Sequence, residues 1–290
     1  KQYGYIGRVS EINTYPIKAC GGITLKKAEA TRLGIKVNGL YDRHWLVVKP
    51  NGDFITMRQH PELACIEINV VPVENEFILT APGMESITLP IKPKSDRSKV
   101  VKCRVWQNQL QGQDCGDEVS RWLSEYLKTE GIRLLFSAPD LIKSQANSRN
   151  NLWGNSADPG DQGAYQDECC GYLIMNENSL VELNTHLKQP VTFRNFRPNI
   201  VIDGPKAFDE DYWKELRIGE SLYVRILDPC ARCVVTTVDP IFGRRSEDGE
   251  PLKTLSSIRC VEGLGKSPFF GVLATVDESG PIKVGDPVYM

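Results

Sequence analysis

Short apolar runs separated by Gly- and Pro-marked turns dominate the chain, and a helical period is rare. Residues 7–15 form an extended run ended by Pro16, and residues 24–31 form a second, bounded by Gly21-Gly22 and Gly34. Runs of this length and β-branched content between turn residues predict strands. Residues 45–48 and 54–57 flank Pro50-Asn51-Gly52-Asp53. That pattern predicts a hairpin, because Asn-Gly readily takes the positive φ of a tight turn. Residues 77–80 and 87–89 predict another around Pro82-Gly83. A helix is predicted over 117–128, where Val119, Trp122, Leu123, Tyr126 and Leu127 share one face. Residues 132–136 return to a strand pattern.

Residues 137–162 are dense in Ser, Asn, Asp, Gly and Pro and show no period. They read as a long connection and as the natural division of the chain, into a β-rich subdomain over 1–136 and a second domain over 137–290. Beyond it, 172–175 predict a strand. Ser179 with Glu182 predicts a capping box opening a short helix on Leu180, Leu183 and Leu187. Further β-like runs follow at 199–202, 222–227, 233–238, 269–275 and 281–289. Many short strands with few helices predict an α+β fold, a β-barrel core with attached helices.

Composition narrows the function classes. Of the 290 residues, 41% are hydrophobic and 25% charged, and the formal net charge is −2. A globular chain without a basic field is not built to hold nucleic acid by counterion release. No apolar run reaches the ~18 residues of a membrane-spanning helix. The start, Lys1-Gln2-Tyr3, is neither a secretory signal nor a basic amphipathic transit segment, and it carries no Met, so it reads as processed or trimmed. The nine cysteines, an odd number, read as mostly reduced thiols of a cytosol-facing protein.

The candidate chemistry centres on Pro229-Cys230-Ala231-Arg232-Cys233, just before the run Val234 to Val238. A thiolate on a fixed backbone is a good ligand for a soft or high-valent metal, and Arg232 between the thiols favours their deprotonation. On spacing alone, half of a zinc site, a dithiol redox pair and two buried inert thiols all remain open readings. The three histidines, His44, His60 and His186, are scattered and offer no second ligand pair.

The surrounding motifs add a resemblance. The cysteine stretch resembles that of MOSC domains, which bind molybdopterin-type molybdenum cofactor. Tyr15-Pro16-Ile17-Lys18-Ala19-Cys20, Asp42-Arg43-His44-Trp45, Asp114-Cys115-Gly116-Asp117, Asn195-Phe196-Arg197-Pro198-Asn199, Gly265-Lys266-Ser267-Pro268-Phe269-Phe270-Gly271 and Ile282-Lys283-Val284-Gly285-Asp286-Pro287 resemble further motifs of the same family, in the same order. Six ordered motifs over nearly the whole chain are specific where one would be weak. The nearest resemblance is to amidoxime-reducing components. It implies a MOSC-type barrel for 137–290, a MOSC-associated N-terminal subdomain for 1–136, and Cys233 as the catalytic residue and metal ligand. It also implies cofactor contacts from Lys18, Ala19, Arg43, Asp167, Glu168, Cys169, Cys170, Arg197, Asn199, Ala231, Arg232 and Cys233. The cofactor's phosphate suits Lys18, Arg43 and Arg197, and its flat, polar pterin suits Asn199 and the 167–170 backbone.

The same resemblance implies reduction of N-hydroxylated compounds (amidoximes, hydroxylamines) with electrons from NADH through cytochrome b5 reductase and cytochrome b5. It further implies a place on the outer mitochondrial membrane facing the cytosol, held by an anchor outside this sequence. A cofactor carrier, related to the C-terminal region of molybdenum-cofactor sulfurases, is the other function the resemblance allows. The sequence departs from the family at Ala19 and Ala231, where Ser is common. It departs also in the 166–171 segment with its adjacent Cys169 and Cys170, and at Val272-Leu273, where a Tyr often stands.

Overall fold

The structure is a computed structural model and describes residues 3–145, 155–158, 160–166, 171–262 and 265–290. Seven strands close a barrel: β1 (Tyr5–Thr14), β2 (Tyr172–Asn176), β3 (Ile200–Asp203), β4 (Glu215–Ile218), β5 (Leu222–Ala231), β6 (Phe269–Val276) and β7 (Pro287–Tyr289). Their order is β3-β2-β6-β5-β4-β7-β1, and β1 returns to pair with β3. Only β2 and β3 run parallel; the other neighbours are antiparallel. Closure removes the unpaired edges that an open sheet would expose.

The two-residue period of the barrel strands points alternate side chains inward. In β5, Val224 and Ile226 are fully buried while Tyr223 is exposed. With Val9, Ile12, Ile174, Ile200, Ile202, Leu216, Val272 and Val288 they form the barrel core. Each such side chain contributes roughly 1.5–3 kcal/mol by leaving water.

The two halves of the chain exchange strands. The N-terminal β1 is one stave of a barrel otherwise built from residue 172 onward, and the strand Gly280–Lys283 pairs with Lys27–Thr31. The rest of the N-terminal half packs a second core. Trp45, Phe77, Leu79 and Phe136 from its strands meet Val119, Trp122 and Leu123 of α1 (Asp117–Tyr126). Asp117 and Glu118 in the first turn of α1 complement its dipole, and Arg133 ties Asp114 and Asp117 together at 2.6 and 2.7 Å. A third layer covers the barrel's outer face. It consists of α2 (Glu177–Thr185), α3 (Phe193–Phe196) and α4 (Leu252–Ile258), around Leu183, Phe196, Leu255 and Phe270.

Several local expectations are corrected. Residues 45–57 do turn back at Gly52 (φ 82°): the Lys49 amide donates to Asp53 O at 2.9 Å, the Ile55 amide to Val47 O at 2.8 Å, and Val48 bridges Phe54, but 54–57 do not extend into a strand. Trp45–Val48 also pairs, over four residues, with Arg133–Phe136, which continues the apolar face. The helix predicted from Ser179 begins earlier: Asn176 caps it by accepting from the Asn178 amide, and Ser179 lies buried inside. The strand predicted over 233–238 is a 3-10 turn, Val234–Thr237. There the Thr236 and Thr237 hydroxyls donate to carbonyls three residues back, at 3.0 and 2.7 Å, and hold the turn against the β-branched preference. The run 281–289 splits into two strands of different sheets, turning at Gly285 (φ 92°).

The outer layer contains a pH-sensitive group. Glu210 is fully buried, and Ser179 Oγ donates to its Oε2 at 2.7 Å. Burial pushes the carboxyl up to about 7 from its usual 4.5. A folded-state value above the unfolded one means that stability is complete below about pH 4.5 and is lost as pH rises to about 7. Glu210→Gln should therefore raise the thermal midpoint at pH 8, by relieving on the order of 3 kcal/mol, and leave it unchanged at pH 4.5. Equal midpoint shifts at both pH values would contradict this.

Candidate cofactor site

Pro16 ends β1 because it lacks an amide to continue the ladder. The chain then runs beside Trp45, whose amide donates to Pro16 O at 3.0 Å and whose carbonyl accepts from the Lys18 amide at 2.9 Å. This buries Lys18, with its ammonium 5.7 Å from the Phe54 ring centre. Ala19 follows in the left-handed region (φ 73°).

Arg43 and Arg197, 154 positions apart in sequence, come together on one aromatic ring. Their guanidinium carbons lie 5.1 and 4.2 Å from the centre of buried Tyr15. Both residues hold left-handed backbone, φ 51° and 61°, and Arg197 is the residue that ends α3. Burial above all, opposed by Tyr15 and reinforced by Arg43, pushes Arg197 down to about 10. It therefore stays a cation at neutral pH. Burial likewise pushes Tyr15 up to about 12, so its phenol stays neutral. Among the described residues, Arg197 Nη2 is enclosed yet has no hydrogen-bond partner. An enclosed, charged donor without an acceptor is costly. It is the arrangement expected where the acceptor arrives with a ligand.

Asn199, expected to read a pterin edge, is occupied within the protein. Its Oδ1 accepts from the Leu173 amide at 3.1 Å and from Arg43 Nη1 at 3.4 Å. Its Nδ2 donates to Asp42 Oδ1 at 3.0 Å and Asn13 O at 3.3 Å. Arg232 is similarly turned inward. Its guanidinium donates to Phe270 O at 2.7 Å and Phe196 O at 3.2 Å, and its amide to Pro268 O at 2.8 Å.

Cys233 is half-buried and extended (φ −137°) at the mouth of the 3-10 turn, and its thiol makes no hydrogen bond among the described residues. Asn195 of α3 donates to Thr236 O and Val238 O, each at 3.3 Å. The turn that follows the thiol is thereby tied to the helix that carries Arg197. A cavity of about 30 Å³ lies at this seam, lined by Tyr15, Asn195, Arg197, Val235 and Val238 among others. It is too small for a pterin and marks packing between the elements. Ala231 is exposed at the end of β5, and Cys230 packs against the outer-layer cluster with Phe270. Asp239 Oδ1 accepts from the Ile241 and Phe242 amides at 2.7 and 2.9 Å, which makes it a turn former.

Asp167, Glu168, Cys169 and Cys170 lie outside the described residues. The flanks of their segment sit beside Arg43. Gln166 Nε2 donates to Asp42 O at 3.0 Å, and Gly171 O packs on Gly34. Tyr15 and Asp42 stand within the motifs, but their spacing in the sequence gives them no role. The ring shared by two cations and the buried carboxylate become visible only when the strands are assembled.

These residues fit a phosphate-bearing, metal-carrying cofactor. Arg197 offers a donor without an acceptor among the described residues, Arg43 shares the Tyr15 ring with it, and the half-buried Cys233 thiol is of a type that suits a soft metal. Residues 6–130 match the MOSC N-terminal beta barrel domain and residues 161–289 the MOSC domain. The chain belongs to the MOSC-domain family. Within that family it belongs with the amidoxime-reducing components. It is 42% identical over 289 residues to mitochondrial amidoxime reducing component 2 of Bos taurus, spanning 98% of this chain and 83% of the relative. It is 38% identical over 290 residues to mitochondrial amidoxime-reducing component 1 of Homo sapiens, with the same coverage.

Proposed function

We propose that the protein is a molybdenum-cofactor-dependent reductase of N-hydroxylated compounds, with Cys233 as the protein ligand to the metal. The observation that carries this reading is the half-buried Cys233 thiol on a turn tied to the helix of Arg197, whose Nη2 lacks an acceptor among the described residues. Membership with the amidoxime-reducing components supports the substrate class.

In this reading Lys18, Arg43 and Arg197 hold the cofactor phosphate, with Ala19 and Ala231 contributing backbone only. The 167–170 segment belongs to the same contact set. Asn199 and Arg232 act from behind: Asn199 holds Arg43, and Arg232 braces the Cys233 backbone against Phe196 and Phe270. When bound, the cofactor supplies the two electrons that break the substrate's N–O bond. For an amidoxime, two electrons and two protons convert N–OH into N–H and water. Electrons come from NADH through cytochrome b5 reductase and cytochrome b5. Asp239 shapes its turn through the Ile241 and Phe242 amides. The division at 137–162 separates the N-terminal MOSC-associated subdomain from the MOSC domain.

The relatives are mitochondrial components by name. We place this protein on the outer mitochondrial membrane facing the cytosol. Among the described residues, no helix is long and apolar enough to cross a membrane.

The test is turnover. Protein made in cells that build the cofactor should carry about one molybdenum per chain. It should reduce benzamidoxime to benzamidine when supplied with NADH, cytochrome b5 and its reductase. Molybdenum bound without turnover would instead favour a cofactor carrier. Zinc in place of molybdenum would defeat the reading.

A further inference from the structure

Asp42 is a carboxylate with no exposed surface, placed where three distant segments of the chain meet. Its Oδ1 accepts from the Tyr15 amide at 2.8 Å and from Asn199 Nδ2 at 3.0 Å, and its Oδ2 accepts from Arg43 Nη1. Its backbone is held as firmly. The amide donates to Ile35 O at 2.9 Å, and the carbonyl accepts from Gln166 Nε2 at 3.0 Å. The fit is close: a Cβ added to Gly34 (φ 104°) would come within 3.0 Å of Asp42 Cβ. Asn199 completes the frame, because its Oδ1 accepts from the same Arg43 Nη1 that Asp42 holds.

A buried carboxylate is stable only when paired and hydrogen-bonded, and every partner here is defined. The arrangement constrains Arg43 more than its partly buried position requires. One nitrogen is shared between Asp42 and Asn199, the guanidinium lies over Tyr15, and the backbone amide donates to Tyr15 O at 2.8 Å. A long cationic side chain normally keeps much of its rotamer freedom, which is lost on gripping an anion. Here that freedom is removed before any ligand arrives.

We infer that Asp42, seconded by Asn199, is the positioning residue of the cofactor site. It sets Arg43 in its anion-binding direction, and its own backbone is fixed by Gln166. The inference rests on the proposed cofactor reading for what Arg43 grips, but the positioning itself is a property of the cofactor-free chain.

The full-length chain with nitrogen-15 arginine, prepared without cofactor, tests it. Wild type should show an ordered, slowly exchanging Arg43 Nη1–H resonance, assigned by its loss in Arg43→Lys. In Asp42→Asn, an amide nitrogen faces Arg43 Nη1, and that resonance should collapse into the exposed-arginine envelope. Molybdenum and pterin per folded chain, after purification from cofactor-making cells, should fall at least about tenfold, the scale for outer partners of a metal site. Asn199→Ser keeps the ion pair but frees Arg43 Nη1 on one side, and should shift the resonance with a smaller loss of cofactor. A folded Asp42→Asn with an unchanged Arg43 resonance and wild-type cofactor content overturns the inference. If that variant does not fold, the same result in Asn199→Ser overturns it. A wild-type chain that shows the ordered resonance but takes up no molybdenum or pterin defeats the proposed function and leaves the positioning of Arg43 standing.

Discussion

Cys233→Ala is expected to reduce benzamidoxime turnover to background while leaving the fold intact. The thiol makes no hydrogen bond among the described residues and is only half-buried, so its removal leaves little cavity and no orphaned partner. The turn behind it is held by groups that the substitution does not touch: the Thr236 and Thr237 hydroxyls and the Asn195 amide. Cys230→Ala should behave differently. Cys230 packs against the outer-layer cluster with Phe270, so its loss should cost about 1 kcal/mol of stability and keep a substantial share of the activity. The comparison needs molybdenum content, turnover and a thermal midpoint for each variant. Complete loss in both, with both folded, would contradict a single protein ligand.

Arg197→Met should separate binding from stability in opposite directions. Removing one cation of a buried charge-assisted contact typically costs about 2–5 kcal/mol, or ~30-fold or more in affinity, so cofactor content should fall steeply. The cofactor-free chain should be as stable as wild type or more so. It no longer encloses an Nη2 that has no acceptor among the described residues, nor holds a cation that burial pushes down to about 10. The left-handed backbone at this position is unchanged, because arginine and methionine meet the same restriction there. A structural arginine would show the reverse, a large fall in the midpoint of the cofactor-free chain. Thermal unfolding of the apo-protein beside metal and pterin analysis of the loaded one decides between these.

Two like charges share the Tyr15 ring, and among the described residues Arg197 Nη2 lacks an acceptor. The surrounding structure bears that cost through the Asp42 carboxylate and the packed barrel.

What was legible in the sequence is what local chemistry decides. Proline at 16 ended β1, Pro82-Gly83 marked the turn between the strands Glu76–Thr80 and Ile87–Pro90, and the apolar face of α1 emerged as expected. Ordered motifs named Lys18, Arg43, Arg197 and Cys233 before any of them had a place. Tertiary structure alone decided the rest. β1 closes a barrel whose other staves begin at residue 172, and residues 45–48 found a second partner near residue 135 beside their own turn. Arg232 turned into the core, while Asn199 spent its amide on Asp42, 157 positions away. Turns and amphipathic faces depend on neighbours a few residues apart, so a sequence window contains their causes. Which buried polar groups find partners depends on which distant segments cross, and that is settled only when the sheets close and every enclosed charge must be answered.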